Sequence, residues 1–203
     1  MVSLPIPRTP NKAVMAKMEP YVMALGKVAH AWNYLQEALG QLFCAVTGLE
    51  NDSTGQAIWH STSNDRTQRE MLRAAIEAVT HERLTTSLPK AKDDIKWLLN
   101  QADKVAEQRN NAIHAPMAIS VGGKEIELVP AAYYGNPRAH KLVGKDILTE
   151  FEWYEHCADT LTRFAYGVRG AITANDVTWP NRPQMPVLQQ KKGTPPHHNS
   201  GAQ

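Results

Sequence analysis

The sequence predicts an all-α fold, a helical bundle of four to five helices with a small β-hairpin insertion. Apolar residues recur at three- and four-residue steps along four stretches of the 203-residue chain, which is the period of amphipathic helices. Only residues 117–130 alternate with a period of two, and the connections are short. Helices with one apolar stripe bury it against each other, so we expect one helical domain over residues 19–174.

The first helix is predicted to begin near Pro20, because proline is tolerated in a first helical turn, and to end at Gly48. Residues 1–18 are Pro-rich and then weakly helical, which indicates an N-terminal extension. The apolar residues of the helix fit a stripe about 140° wide, as expected of a core-facing helix. They are Leu25, Val28, Ala29, Trp32, Leu35, Leu39, Leu42, Phe43 and Val46.

A second helix is predicted after Asn64 or Asp65, either of which could cap it. One face is apolar, and the opposite face carries three arginines within about 60° on a helical wheel. Such a stripe is typical of a solvated face, and its alternative interpretation is an RNA-binding surface that tracks phosphates. The three residues are Arg66, Arg69 and Arg73.

A third helix is predicted from Pro89 to His114, because Pro116 pushes the residue before it out of helical geometry. The hairpin at about 117–130 turns at two successive glycines, 122–123. The last helix is predicted to begin near Thr149, which forms a capping-box pattern with Glu152. From about Asn175, prolines and polar residues predict a flexible Pro-rich tail over 175–203.

Composition excludes several classes of protein. The net charge of +2 does not indicate a pronounced nucleic-acid-binding face, and no stretch approaches the roughly 20 apolar residues that span a bilayer. The N-terminus lacks a secretory pattern, so we expect a cytoplasmic protein with no membrane contact. Cys44 and Cys157 are expected to be buried, reduced thiols. Metal-ligand spacings and phosphate- or dinucleotide-binding glycine patterns are missing, so no metal or other cofactor is expected.

The end of the third helix carries the best candidate active site, formed by Arg109, Asn110 and His114. A histidine can accept or donate a proton near neutral pH, and an arginine presents a fork of donors to an anion such as phosphate. Residues five apart on an ideal helix point about 140° away from each other, whereas Asn110 and His114 share a face. Two features soften this conflict within one chain: arginine has a long side chain, and Pro116 lets the last helical turn unwind.

This segment, Arg-Asn-Asn-Ala-Ile-His followed by Pro116, resembles the HEPN superfamily, whose signature is arginine, a polar residue, and histidine after four to six positions. The stretch 28–39 is also similar to the opening helix of HEPN-like proteins of bacteria and phages, and the resemblance covers roughly residues 20–173. It implies a metal-independent endoribonuclease of toxin or defence type. Such enzymes act at a homodimer cleft and leave 2′,3′-cyclic phosphate and 5′-hydroxyl ends. In such a cleft His114 would accept the proton of a ribose 2′-hydroxyl and could work with Arg109 of the second protomer, while Asn110 orients the imidazole or binds phosphate. An antitoxin protein is then a candidate partner beside RNA.

Three other interpretations stay open at this stage. Arg109 and His114 could be helix-end residues, because the helix dipole favours a cation there by about 0.3–1 kcal/mol. The chain could be a non-catalytic HEPN-like dimeric module that binds RNA or a protein partner. The Pro-rich tail could be a docking segment for a partner. The tryptophans at helical apolar positions, Trp32, Trp59 and Trp97, are expected in the core rather than stacked on bases.

Overall fold

The computed structural model describes residues 12–49, 53–79, 88–120, 127–132, 135–174 and 177–189. Within these ranges there are six helices and one two-stranded sheet, so the predicted helical bundle with a small hairpin is confirmed. The elements in chain order are α1 (Lys12–Thr47), α2 (Ser53–Trp59), α3 (Asp65–Ala78), α4 (Leu88–His114), β1 (Met117–Ser120), β2 (Glu127–Pro130), α5 (Pro137–His140) and α6 (Ile147–Thr173).

Helix α1 begins eight residues before the start predicted at Pro20. Residues 12–18 are therefore part of the helix rather than an N-terminal extension, and residues 1–11 lie outside the described residues. Pro20 lies inside the helix, where it removes one backbone hydrogen bond. Tyr21, Ala24 and Leu25 directly follow it and pack against the core, which helps to offset that loss. Gly48 ends the helix as predicted, with a positive φ of 72° that favours glycine.

Helices α1 and α6 form the central pair of the bundle. Helix α4 packs on α6, and α3 packs against both α1 and α4. Their apolar stripes meet in one core, whose large fully buried side chains include Leu35, Leu39, Leu42, Leu72, Ile76, Ile95, Leu98, Leu99 and Phe151. Because the apolar side of α4 is held in this core, the rotation of α4 about its axis is fixed. That rotation determines which side chains surround the C-terminal turn of α4.

Two glycines set the close approach of the short helix α2 to α1. A Cβ at Gly40 would lie 2.8 Å from the indole of Trp59, which is fully buried. A Cβ at Gly55 would lie 2.7 Å from the Sγ of Cys44. The predicted core position of Trp59 is confirmed, as is that of Trp32. Trp97 is half-buried and meets Phe164 edge to face, with ring centroids 5.3 Å apart.

The predicted hairpin forms directly after α4. Strands β1 and β2 pair antiparallel, with Met117 opposite Pro130 and Ser120 opposite Glu127. The backbone N–H of Ala131 donates to the carbonyl of Pro116 at 2.8 Å, which ties the base of the hairpin to the end of α4. The predicted turn at the two glycines, 122–123, lies outside the described residues.

The start of α6 differs from the prediction. Asp146 caps the helix, because its side chain accepts hydrogen bonds from the backbone N–H groups of Leu148 and Thr149. The Thr149 hydroxyl donates to the same carboxylate at 2.9 Å. The predicted capping box of Thr149 and Glu152 is therefore wrong, because the helix already begins at Ile147 and Thr149 lies inside its first turn.

Residues 177–189, here called the strap, differ from the predicted flexible tail. They form neither helix nor strand, and they lie along α4 and α6, where Trp179 and Met185 pack on the core. The indole N–H of Trp179 donates to Asp94 at 2.6 Å, and the indole N–H of Trp153 donates to the carbonyl of Pro186 at 2.8 Å. The prolines of this stretch carry no backbone N–H, so the segment packs against the helices with fewer donors to satisfy. Residues 190–203 lie outside the described residues.

Candidate functional site

The predicted site residues Arg109, Asn110 and His114 all lie in the last two turns of α4. Ala112 between them is fully buried and fixes the orientation of this helix end against the core. The side chain of His114 is exposed, and it takes part in none of the hydrogen bonds or ion pairs between side chains of the described residues. The histidine is therefore accessible to a ligand, whereas the arginine is turned inwards.

Arg109 lies in a pocket formed by α1 and α3. Its side chain is 14% exposed, and its guanidinium carbon lies 4.1 Å from the ring centroid of Trp32, within cation–π distance. One terminal nitrogen, Nη2, donates to Asn110 Oδ1 at 2.6 Å and to Asp65 Oδ2 at 3.4 Å. The Nε of Arg109 is buried without an acceptor.

The electrostatics of Arg109 follow from this position. Burial lowers the pKa of the guanidinium below its usual value, the carboxylate of Asp65 raises it, and the neighbouring Arg69 lowers it further. An arginine nevertheless stays protonated in a protein, so Arg109 remains a cation. A partly desolvated cation with a fixed orientation can bind an anion more strongly than a solvated one.

Asn110 does not contact His114 in this chain. Its side-chain oxygen accepts from Arg109, so the residue holds the guanidinium in place rather than orienting the imidazole. The prediction that Asn110 orients an imidazole or binds phosphate would need a histidine or a ligand from outside the chain.

Asp65 links the motif to the rest of the bundle. Its Oδ2 accepts from the indole N–H of Trp32 at 3.1 Å, and it lies 3.4 Å from Nη1 of Arg69 and from Nη2 of Arg109. Sequence reasoning treated Asp65 only as a candidate cap of α3, and the observed cap is Asn64. No local pattern reveals this role, because Asp65 is 33 residues from Trp32 and 44 from Arg109.

The three arginines of α3 do not form a solvated stripe. Arg69 is 3% exposed, and its Nε donates to Asp103 at 2.7 Å. Arg73 is partly buried and donates to the other oxygen of Asp103 at 2.9 Å, while Arg66 is exposed. The predicted phosphate-tracking surface is therefore contradicted for Arg69, because its charge is buried and paired within the protein. Arg66 is left as the exposed member of the set.

The part of the chain that the structure describes offers neither a metal site nor a reactive thiol. That part contains no group of three or more His, Cys, Asp or Glu residues that could hold a metal ion. Cys44 and Cys157 are buried free thiols as predicted, and burial raises the pKa of Cys157 to about 12. Such a thiol is protonated at neutral pH and is a poor nucleophile.

The chain thus presents an exposed imidazole and a buried, positioned guanidinium on different sides of the same helix end. The five residues from Arg109 to His114 correspond to about 140° of rotation around the helix axis, which explains why the two side chains point in different directions.

Comparisons with protein-family models, with curated proteins and with solved structures found no match. Among the described residues, no helix is both long and apolar enough to cross a lipid bilayer.

Proposed function

We propose that this protein is a HEPN-type, metal-independent endoribonuclease whose active site is a cleft between two protomers. The observation that carries the proposal is the placement of His114, which is exposed at the end of α4 five residues after an arginine held by other side chains. Trp32, Asp65 and Asn110 restrict the rotation of the Arg109 guanidinium. Such restriction reduces the entropy lost when an arginine binds a transition state.

The proposed reaction uses two histidines and no metal ion. His114 of one protomer accepts the proton of the ribose 2′-hydroxyl, and the 2′-oxygen attacks the adjacent phosphorus. The bond from phosphorus to the 5′-oxygen breaks, and the second histidine donates a proton to that leaving oxygen. Arg109 stabilises the charge on the phosphoryl oxygens. The products are a 2′,3′-cyclic phosphate and a 5′-hydroxyl.

A second candidate function is a non-catalytic HEPN-like dimeric module that binds RNA or a protein partner. It is favoured by the burial of Arg109, which is 14% exposed and already bonds to Asn110 and Asp65 through Nη2. In that case Arg109 stabilises the helix end, and His114 is a surface residue that contacts the partner.

The test is an RNA cleavage assay in the presence of EDTA, with the 3′ ends of the products identified by mass spectrometry. His114→Ala is expected to lower the cleavage rate by about 10²–10⁴-fold, the usual contribution of an acid–base residue, without changing the folded structure. His156→Ala is the matched control, because His156 is an exposed histidine on α6. It is expected to cleave at the wild-type rate.

Arg109→Lys tests the second group, because lysine keeps the charge but cannot reproduce the fork of donors. Circular dichroism shows whether the variant is folded. Full activity in folded Arg109→Lys and His114→Ala proteins would contradict the proposed site. RNA binding by the wild type without cyclic-phosphate ends would favour the non-catalytic module instead.

A further inference from the structure

One face of the N-terminal half of α1 is apolar but not covered by the rest of the chain. Met15, Val22, Met23 and Tyr34 are 51%, 56%, 59% and 52% exposed, although large apolar side chains are usually buried. With Gly26 they lie within an arc of about 120° on a helical wheel, and we call this surface the α1 face. A cleft of about 1010 Å³ runs along it, between α1 and α6.

No contact within the described residues explains why a glycine stands at position 26, in the middle of the α1 face. It is exposed in the interior of a 36-residue helix, where glycine lowers helix stability. A Cβ at this position would meet nothing within 4 Å. A helical glycine without a close internal neighbour allows another backbone to approach from outside.

Charged residues of both signs lie within or beside the α1 face: on a helical wheel Lys12 and Glu19 fall inside its arc, and Lys27 falls at its edge. Lys12, Glu19 and Lys27 come from α1, while Glu155 and Asp159 come from α6. Among the residues that the structure describes, none of the five has an ion-pair partner. An exposed apolar surface that carries unpaired charges of both signs can bind a surface whose charges are complementary to its own.

We propose that the α1 face binds the α1 face of a second copy of this chain, with the two helices antiparallel across a two-fold axis. A two-fold interface pairs one surface with itself, so the surface must be self-complementary in shape and charge. The face spans residues 12–34, and an axis at its midpoint, Met23, places Glu19 opposite Lys27 of the partner subunit. The apolar side chains then cover each other, and Gly26 lets the helices approach closely.

This contact is separate from the proposed ribonuclease site and does not rest on it. Met23 and Trp32 are nine residues apart, which corresponds to opposite sides of α1. Trp32 is the residue that stacks on Arg109. Pairing through the α1 face therefore leaves the pocket of Arg109 uncovered.

Sedimentation equilibrium of the full-length protein tests the proposal. The wild type is expected to associate, and Met23→Glu is expected to halve its molar mass and raise Kd by about 100-fold or more. The reason is that two buried methionines are lost and two carboxylates meet at the axis. Lys17→Glu is the matched control, because Lys17 is exposed on α1 about 120° from Met23 and should keep the wild-type mass.

A charge exchange tests the antiparallel register. Glu19→Lys and Lys27→Glu are each expected to weaken association by about tenfold, because each change places like charges opposite each other. The double variant restores the opposite charges and should return Kd to within about threefold of the wild type. Failure of the double variant to restore association would overturn the proposed register.

The proposal as a whole is overturned by either of two results. One is a wild type that has the mass of a single chain at all concentrations, as expected if another segment or a different protein covers the face. The other is a folded Met23→Glu protein with unchanged mass. A wild type of single-chain mass would also contradict the two-protomer cleft of the ribonuclease proposal. An unchanged mass of folded Met23→Glu overturns the α1 contact alone, and the cleavage assay then decides the ribonuclease proposal separately.

Discussion

Replacing Asp65 with alanine removes the carboxylate that joins α1, α3 and α4 beside the candidate site. Its Oδ2 accepts from Trp32 at 3.1 Å and lies 3.4 Å from a nitrogen of Arg69 and from one of Arg109. All three partners are at least 85% buried, with side-chain exposures of 14% for Arg109 and 4% for Arg69. Water therefore replaces the lost acceptor poorly, and the fold loses stability.

The magnitude follows from the surroundings of each partner. Removing one member of a buried ion pair costs about 3–5 kcal/mol, but Asp65 itself is 29% exposed and Arg69 keeps its bond to Asp103. We therefore expect a loss of about 2–3 kcal/mol in the free energy of unfolding. For a chain of this size, that loss corresponds to a melting temperature lower by about 4–12 °C.

Urea denaturation and thermal melting, both followed by circular dichroism, measure the effect. Asp65→Asn keeps an oxygen that can accept from Trp32, so it should lose about half as much stability as the alanine variant. Asp93→Ala is the control, because Asp93 is exposed, and it should stay within about 0.5 kcal/mol of the wild type. A melting temperature of Asp65→Ala within about 1 °C of the wild type would refute the claim that Asp65 holds this cluster together.

Two further predictions concern the strap and the buried thiol. Asp94→Ala should lower stability by about 2 kcal/mol and speed hydrogen exchange in residues 177–189, because the indole of Trp179 and the guanidinium of Arg182 lose their shared acceptor. The pKa of Cys157 is raised from 9.0 to about 12, so between these values the unfolded thiol ionises while the folded one stays protonated. The free energy of unfolding should therefore fall as pH rises through this range, by up to about 1.4 kcal/mol per pH unit from this residue.

Each of these predictions has its own control. Asp93→Ala changes the neighbouring carboxylate, which is exposed, and should leave hydrogen exchange in the strap unchanged. Unchanged exchange in Asp94→Ala would show that Asp94 does not hold the strap. For the thiol, urea denaturation at pH 8 and pH 10 is compared between the wild type and Cys157→Ala. Equal pH dependence in the two proteins would contradict a contribution from Cys157.

The sequence by itself determined the helical class, the hairpin and the position of the motif at a helix end. These properties depend on local signals: the spacing of apolar residues, the glycine at 48 and the proline at 116. They also hold in the structure, where α4 ends at His114 and α1 ends before Gly48. A local sequence pattern predicts the wrong residue where a second residue nearby can take the same role. At the start of α6, for example, Asp146 is the cap in place of Thr149.

Only the tertiary structure decided which side chains become partners. The stripe of arginines on α3 has the pattern of a solvated face, but the acceptor of Arg69 lies 34 residues away on α4. The strap has the composition of a flexible tail, yet Trp179 reaches an acceptor 85 residues earlier in the chain. Burial and pairing at such separations depend on how the helices pack, and a one-dimensional period carries no information about that packing. For the same reason the sequence located Arg109 and His114, and only the packed bundle showed that one is held inside and the other is open to a ligand.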